Sequence, residues 1–157
     1  METVINSPVG TVKIIENDSI ITAIAFTEDR ESTHKLSAVT AFAKQELEQY
    51  FDSTLRVFTF PFKQNGSEFQ QKVWHELTKI PFGQTISYHQ LAVNLGDAKS
   101  IRAAASANGK NQMAIVVPCH RVIGSNGDLV GYAGGLDKKK WLLQHEGVIN
   151  QLDIFDQ

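Results

Sequence analysis

The spacing of apolar residues changes once along this chain, near residue 63, and that change limits the folds open to it. Before it, β-branched runs dominate: Thr3-Val4-Ile5, Thr11 to Ile15, and Ile20 to Phe26. The turn-forming stretches Asn6-Ser7-Pro8-Val9-Gly10 and Glu16-Asn17-Asp18-Ser19 separate them, which predicts a small antiparallel meander. From about Ser32 to Phe51 the period is helical, with Leu36, Val39, Phe42, Ala43, Leu47 and Tyr50 on one stripe. Leu55 to Phe60 alternates and then meets Pro61, which reads as a fourth strand.

Beyond the polar stretch Lys63-Gln64-Asn65-Gly66-Ser67 the pattern turns helical. Ser67 is a candidate N-cap for a helix over Glu68 to Leu77, whose stripe is Phe69, Val73, Trp74 and Leu77. Ser87 is placed to cap Tyr88 to Leu95, Gly96-Asp97 breaks the run, and Ala98 to Ala107 forms another short helix. Helix, glycine-containing turn, helix is the order of a helix-turn-helix. Ala103, Ala104, Ala105, Ser106 and Ala107 make the second helix unusually slim, suited either to tight core packing or to close approach to a groove. Asn108-Gly109-Lys110-Asn111 reads as a turn and Ala114 to Val117 as a short buried strand. Ser125-Asn126-Gly127-Asp128 is a tight turn, and Gly131 to Gly135 is a glycine-rich loop. Asp137 is placed to cap a last helix through His145. Lys138-Lys139-Lys140 in its first turn oppose the helix dipole, which fits a solvated basic face or an anionic partner. The expected architecture is α+β: an antiparallel-sheet domain over 1–62, then a mainly helical domain over 63–157.

The net charge of −2 conceals an asymmetry. Residues 1–62 carry five Lys/Arg against nine Asp/Glu, and residues 63–147 carry ten against six. A basic second half fits an acidic partner such as nucleic acid, or simply scattered surface charge. No apolar run approaches the length of a bilayer span, and Met1-Glu2 does not begin a secretory signal. A single cysteine fits a reducing compartment, so a cytoplasmic protein is expected.

That cysteine, Cys119, lies in Pro118-Cys119-His120-Arg121-Val122. It can form no internal disulfide, which leaves a buried filler residue or a reactive thiol. The neighbouring histidine and arginine favour the thiolate. Adjacent residues in extended chain point to opposite faces, so Cys119 and His120 can cooperate only across a sharp turn or through a water. Glu146 is a candidate, by residue type, to orient the imidazole.

Ile115-Val116-Val117-Pro118-Cys119-His120-Arg121-Val122 resembles the active-site signature of the O6-alkylguanine-DNA alkyltransferases, the methylated-DNA–protein-cysteine methyltransferases. The resemblance continues, in order, through Ile80-Pro81-Phe82-Gly83, Ser87-Tyr88, Ile101-Arg102-Ala103, Asn111, Gly131-Tyr132-Ala133-Gly134-Gly135-Leu136 and Trp141 to Gly147. It covers about residues 66 to 147. The first 62 residues fit the family's smaller, ribonuclease H-like domain by element order only.

The resemblance implies a direct repair protein that binds alkylated double-stranded DNA in the minor groove through a winged helix-turn-helix-like domain. It would flip the damaged nucleotide outward and transfer the alkyl group from O6-alkylguanine irreversibly to Cys119, once per molecule, without a cofactor. O4-alkylthymine is a further possible substrate. By the same resemblance His120 is linked to Cys119 through a water and oriented by Glu146, and Tyr88 helps rotate the nucleotide and hydrogen-bonds the purine. Arg102 replaces the flipped base, with Ala103 and Ser106 on the same DNA-facing helix. Asn111 braces the turn before the active-site strand. Tyr132 and Ala133 line the pocket, where Ala133 removes a hydroxyl that some members present to O6. The main-chain carbonyls of Cys119 and Val122 read guanine. No cysteine is available in the first domain for the zinc that some members hold there, so no metal is expected. A monomer without membrane association follows. The alternative is a non-catalytic lesion-binding module, which would bind the lesion without taking its alkyl group; a general cysteine hydrolase would turn over repeatedly.

Overall fold

The computed structural model describes residues 1–148, so the end of the expected 63–157 domain lies outside the described residues. The chain divides into two compact units, one of Met1–Gln64 with Gln112–Val116, the other of Asn65–Asn111 with the residues from Val117 onward. A short return segment, Gln112–Val116, therefore belongs with the first unit although it lies deep in the second half of the sequence.

The first unit is built on strands β1 (Glu2–Ile5), β2 (Thr11–Asn17) and β3 (Ile20–Thr27), paired antiparallel in that order. Alternation decides which face is buried: Val12 and Ile14 have no exposed surface, while Lys13 between them meets Glu2 and Asp29. Asp18 and Ser19 both take positive φ, 52° and 63°, as the two-residue hairpin turn between β2 and β3 requires. Helix α1 (Ala38–Phe51) starts later than its apolar stripe suggested, because Ser37 accepts from the Thr40 amide and fixes the start there. The Ser37 and Thr40 hydroxyls both donate to Glu16 on β2. Ala43, Leu47 and Tyr50 form the buried face of the helix.

The expected fourth strand at Leu55 to Phe60 does not form. The buried Glu46 carboxylate on α1 takes the amides of Thr59 and Phe60 at 2.8 and 2.9 Å, together with the Thr59 hydroxyl. Donors that would pair in a ladder are committed to a side chain. The chain joins the sheet at Pro61, whose carbonyl takes the Ile21 amide at 3.1 Å, and Phe62 bridges Ile21.

The expected strand at Ala114 to Val117 is also absent. Met113 makes an isolated bridge to Ile24, and the chain then folds through two successive γ-turns. In the first, the Val116 amide reaches the Ala114 carbonyl at 2.7 Å around Ile115, whose φ is 71°. In the second, the Cys119 amide reaches the Val117 carbonyl at 2.8 Å around Pro118 (φ −82°, ψ 65°). Positive φ at a β-branched residue is strained. That strain sits four residues before the lone cysteine.

The second unit is mostly helical. Helix α2 (Glu68–Leu77) opens with a reciprocal capping box between Ser67 and Gln70. Gly66 has no room for a side chain, since a Cβ there would lie 2.5 Å from the Trp74 ring. Trp74 is buried and its indole N–H donates to the Ala107 carbonyl at 2.9 Å. The two-residue strands β4 (Ile86–Ser87) and β5 (Val122–Ile123) pair in parallel, tying the segment before helix α3 (Tyr88–Asn94) to the segment after the cysteine. Ser87 caps α3 through the Gln90 amide. A 3₁₀ turn at Ala98–Ser100, capped by Asp97, leads into α4 (Ile101–Gly109). The last helix, α5 (Leu136–His145), starts after Gly135 at φ 99°, and Asp137 lies in its first turn instead of capping it. Leu91, Ala92, Ala104, Leu142 and Leu143 have no exposed surface.

Candidate active site

Cys119, His120 and Arg121 form a single 3₁₀ turn, which is the sharp bend that cooperation between neighbouring side chains requires. All three are buried, His120 completely. The His120 Nε2–H donates to Glu146 Oε2 at 2.7 Å. Arg121 grips the same carboxylate with two groups, Nε to Oε1 at 2.8 Å and Nη2 to Oε2 at 3.0 Å. Its Nη1 donates to the Ile80 carbonyl at 2.7 Å. The Gly83 amide completes the surroundings of Glu146 at 3.4 Å.

Burial alone would raise the Glu146 carboxyl, but the hydrogen bonds and charges of His120 and Arg121 outweigh it and hold the group well below the usual carboxylate range. For His120 burial wins over the upward pull of Glu146, so the imidazole pKa falls. The two directions agree physically, because Arg121 already supplies the cation that Glu146 needs and a neutral ring satisfies the pair. With Nε2 donating, Nδ1 carries the lone pair. That atom is buried and meets no donor or acceptor among the described residues, so it is the proton acceptor the ring can offer.

The thiol differs from the sequence expectation. Burial pushes Cys119 up, and this outweighs the downward influences of an Asn111 hydrogen bond and the Lys139 charge. His120 is neutral and the charge of Arg121 is spent on Glu146, so neither neighbour holds a resting thiolate. A buried thiol beside a neutral base is the arrangement instead.

A second group of side chains surrounds the same turn. Lys139, on α5, is entirely buried, and its Nζ donates to the carbonyls of Val122, Val130 and Gly131 at 2.7, 3.0 and 3.3 Å. Burial lowers it to about 8. The lysine run thus splits, with Lys139 turned inward, which corrects the reading of a uniformly solvated or ligand-facing triplet. Tyr88 is half-buried at the start of α3, and its hydroxyl donates to the Val130 carbonyl at 3.0 Å. Burial raises its pKa, with a further contribution from Cys119. Asn108, at the end of α4, donates from Nδ2 to the Cys119 carbonyl at 3.4 Å. Asn111 donates from Nδ2 to the Val117 carbonyl at 2.7 Å and so braces the second γ-turn.

Of the other residues singled out in the sequence, Val122 is buried and Tyr132 half-buried, with burial holding its phenol well above the ordinary value. Ala133 is exposed in the glycine-rich loop. Arg102, Ala103 and Ser106 share an exposed face of α4, opposite the buried Ala104, Ala107 and Asn108. They are not part of the buried network. Sequence reasoning placed Asn108 only in a turn, gave Arg121 only an influence on the thiol, and read Lys139 only as one of a basic run. Helical spacing contained a signal for the last: Lys139 stands three and four residues before Leu142 and Leu143, on the buried face of α5. Among the described residues no group of three or more His, Cys, Asp or Glu side chains is placed to hold a metal ion. No helix among them is long and apolar enough to cross a membrane.

A lone thiol backed by a neutral histidine and a fixed carboxylate, carried beside a pair of short helices, defines a nucleophile-centred protein of two units. Residues 68–148 match the model of the 6-O-methylguanine DNA methyltransferase DNA binding domain, and residues 1–64 match that of the family's ribonuclease-like domain. The chain belongs to the 6-O-methylguanine DNA methyltransferase family. It is 38% identical over 156 residues to the constitutive methylated-DNA–protein-cysteine methyltransferase of Bacillus subtilis (strain 168), covering 93% of this chain and 94% of that one. The Mycobacterium leprae (strain TN) methylated-DNA–protein-cysteine methyltransferase is 37% identical over 158 residues, 96% of each. In structure, the Mycobacterium tuberculosis OGT in complex with DNA superposes with a TM-score of 0.83 at 35% identity, over 98% of each chain.

Proposed function

We propose that this protein repairs alkylated DNA directly, taking the alkyl group of O6-alkylguanine onto Cys119 in one irreversible turnover. The observation that carries the reading is the buried sole cysteine joined in one turn to a His120–Glu146–Arg121 network, in a chain of this family. The Cys119 proton passes through a bridging water to His120 Nδ1, and the sulfur attacks the alkyl carbon. A carbon–sulfur bond forms as the carbon–O6 bond breaks, and the electron pair stays with the purine. Glu146 receives no proton: Arg121 keeps it ionised, and it fixes the ring tautomer and stabilises the imidazolium. Tyr88 supplies a hydrogen bond to the departing purine. The thioether has no route back to thiol in this chain, so the protein is consumed and needs no cofactor.

The exposed face of α4 suits the DNA contact, with Ala103 and Ser106 allowing close approach in the minor groove and Arg102 filling the gap left by the flipped nucleotide. Extrusion costs a few kcal/mol, least for a damaged pair. Tyr132, Ala133 and the carbonyls of Cys119 and Val122 line the base pocket, and O4-alkylthymine is a candidate second lesion. The reading is of a monomer acting on DNA in the cytoplasm. The test is incubation with a duplex containing O6-methylguanine, followed by mass analysis of the Cys119 peptide. One added methyl per protein is expected. An intact lesion beside unmodified peptide at excess protein overturns the reading and leaves a lesion-binding module.

A further inference from the structure

The Tyr88 hydroxyl has one proton, and in this structure that proton is spent on the Val130 carbonyl at 3.0 Å. To serve a departing purine the hydroxyl must let that carbonyl go. A carbonyl that loses its donor resists the change to the extent that nothing replaces it. Val130 is not stripped, because Lys139 Nζ donates to the same oxygen, also at 3.0 Å. The ammonium is fixed independently by the carbonyls of Val122 and Gly131, and it stands 5.8 Å from the centre of the Tyr88 ring. The Asn108 side chain also hydrogen-bonds Tyr88, and its Nδ2 reaches the Cys119 carbonyl at 3.4 Å. Asn108 is buried, and its Oδ1 meets no donor among the described residues.

We propose that Lys139 and Asn108 are positioning residues that make the Tyr88 hydroxyl transferable: Asn108 holds its oxygen, and Lys139 keeps the Val130 carbonyl satisfied when the proton turns toward the purine. This rests on the reading of Tyr88 as a donor to the leaving base and assigns the two side chains on which that donor depends. Lys139 touches no substrate in this scheme. Its three carbonyl contacts are a fixed frame, and only the Tyr88 hydroxyl moves. The ammonium beside the ring also favours electron density building on the phenol oxygen as it donates.

The test is a double-mutant cycle on the single-turnover rate of methyl transfer from an O6-methylguanine duplex, using wild type, Tyr88→Phe, Lys139→Met and the double variant. Lys139→Met is expected to slow transfer on the order of tenfold when Tyr88 is present and by less than about twofold in the Tyr88→Phe background. Binding to unmethylated duplex should be unchanged. Equal factors in both backgrounds, or a rate loss matched by lost duplex binding, mark a purely structural lysine and overturn the proposal. Should Lys139→Met fail to fold, Asn108→Ala removes the other positioning side chain and runs the same cycle, with the same two outcomes. A wild type that transfers no methyl group defeats the repair reading itself, so the two failures are distinct.

Discussion

Two buried cations serve the cysteine turn, and they are stabilised in opposite ways. Arg121 lies in a bidentate grip with Glu146, a pair of full charges. Lys139 has carbonyl oxygens only, three of them, and no carboxylate among the described residues. The first arrangement locks protonation states: Glu146 sits far below its usual range, and guanidinium does not titrate in proteins. The second leaves a lysine whose pKa has fallen to about 8, within reach of ordinary pH. On the proposed reaction, the rigid wall orients the base and the softer wall holds the hydroxyl that turns.

The largest effect should come from breaking the rigid wall. Glu146→Gln keeps the shape but leaves Arg121 buried without its counter-charge, which costs about 3 to 5 kcal/mol. Denaturant unfolding at neutral pH would show it as a lowered midpoint. The pH dependence gives an independent reading. A carboxylate with a depressed folded pKa contributes stability that is complete above its unfolded value near 4.5 and drains away as pH falls toward the folded value. Glu146→Gln should therefore flatten the acid limb of the stability profile. A variant as stable as wild type at pH 7 would show that the ion pair does not carry this wall.

The two walls were not equally legible in the sequence. The rigid one was half visible: Cys119, His120 and Glu146 could be named, and Arg121 was read as favouring the thiolate instead of as the partner of Glu146. The Nη1 of Arg121 is held by the Ile80 carbonyl, some forty residues upstream, and local pattern does not report such contacts. The softer wall was hidden because Lys138, Lys139 and Lys140 look alike until the helix phase is fixed by Leu142 and Leu143. The elements show the same division. Strands β1 to β3 and helices α2 and α3 follow from alternation, helical spacing and serine caps, all local. The strands expected at Leu55 to Phe60 and Ala114 to Val117 failed for non-local reasons. Glu46 intercepts the amides of the first, and γ-turns, one of them braced by Asn111, replace the second.

The softer wall predicts a pH effect of opposite sign. Folding lowers Lys139 from 10.5 to about 8. Between those values the unfolded chain binds the extra proton, so this residue makes stability rise with pH, by roughly 3 kcal/mol across the window. Below it the folded state carries the full penalty of the buried ammonium. Cys119, Tyr88 and Tyr132 are shifted upward and act against this trend. The comparison is therefore Cys119→Ser against Cys119→Ser with Lys139→Met, by urea unfolding from pH 7 to 10.5. The difference in unfolding free energy should grow with pH in favour of the lysine protein. A flat difference would mean that the carbonyls compensate the ammonium fully and that the two walls do not differ in kind.

A cation at the protein's surface, partly covered, supplies the baseline for both. Lys13 on β2 meets Asp29 at 3.5 Å and Glu2 at 3.9 Å, with both carboxylates largely in water. Water and salt screen such contacts, and ordering the long side chain offsets part of what remains. Lys13→Met retains the apolar stem over the sheet and should cost less than about 1 kcal/mol. Thermal unfolding in low and high salt should differ less for the variant than for wild type, since screening has nothing left to weaken there. This small effect makes the larger ones interpretable. Lys13 contacts two carboxylates and Arg121 only one, so counting partners would rank Lys13 higher. If its loss approached that of Glu146→Gln, partner number would be setting the cost. A loss several times smaller assigns the cost to burial, which is near complete at Arg121 and Lys139 and only partial at Lys13.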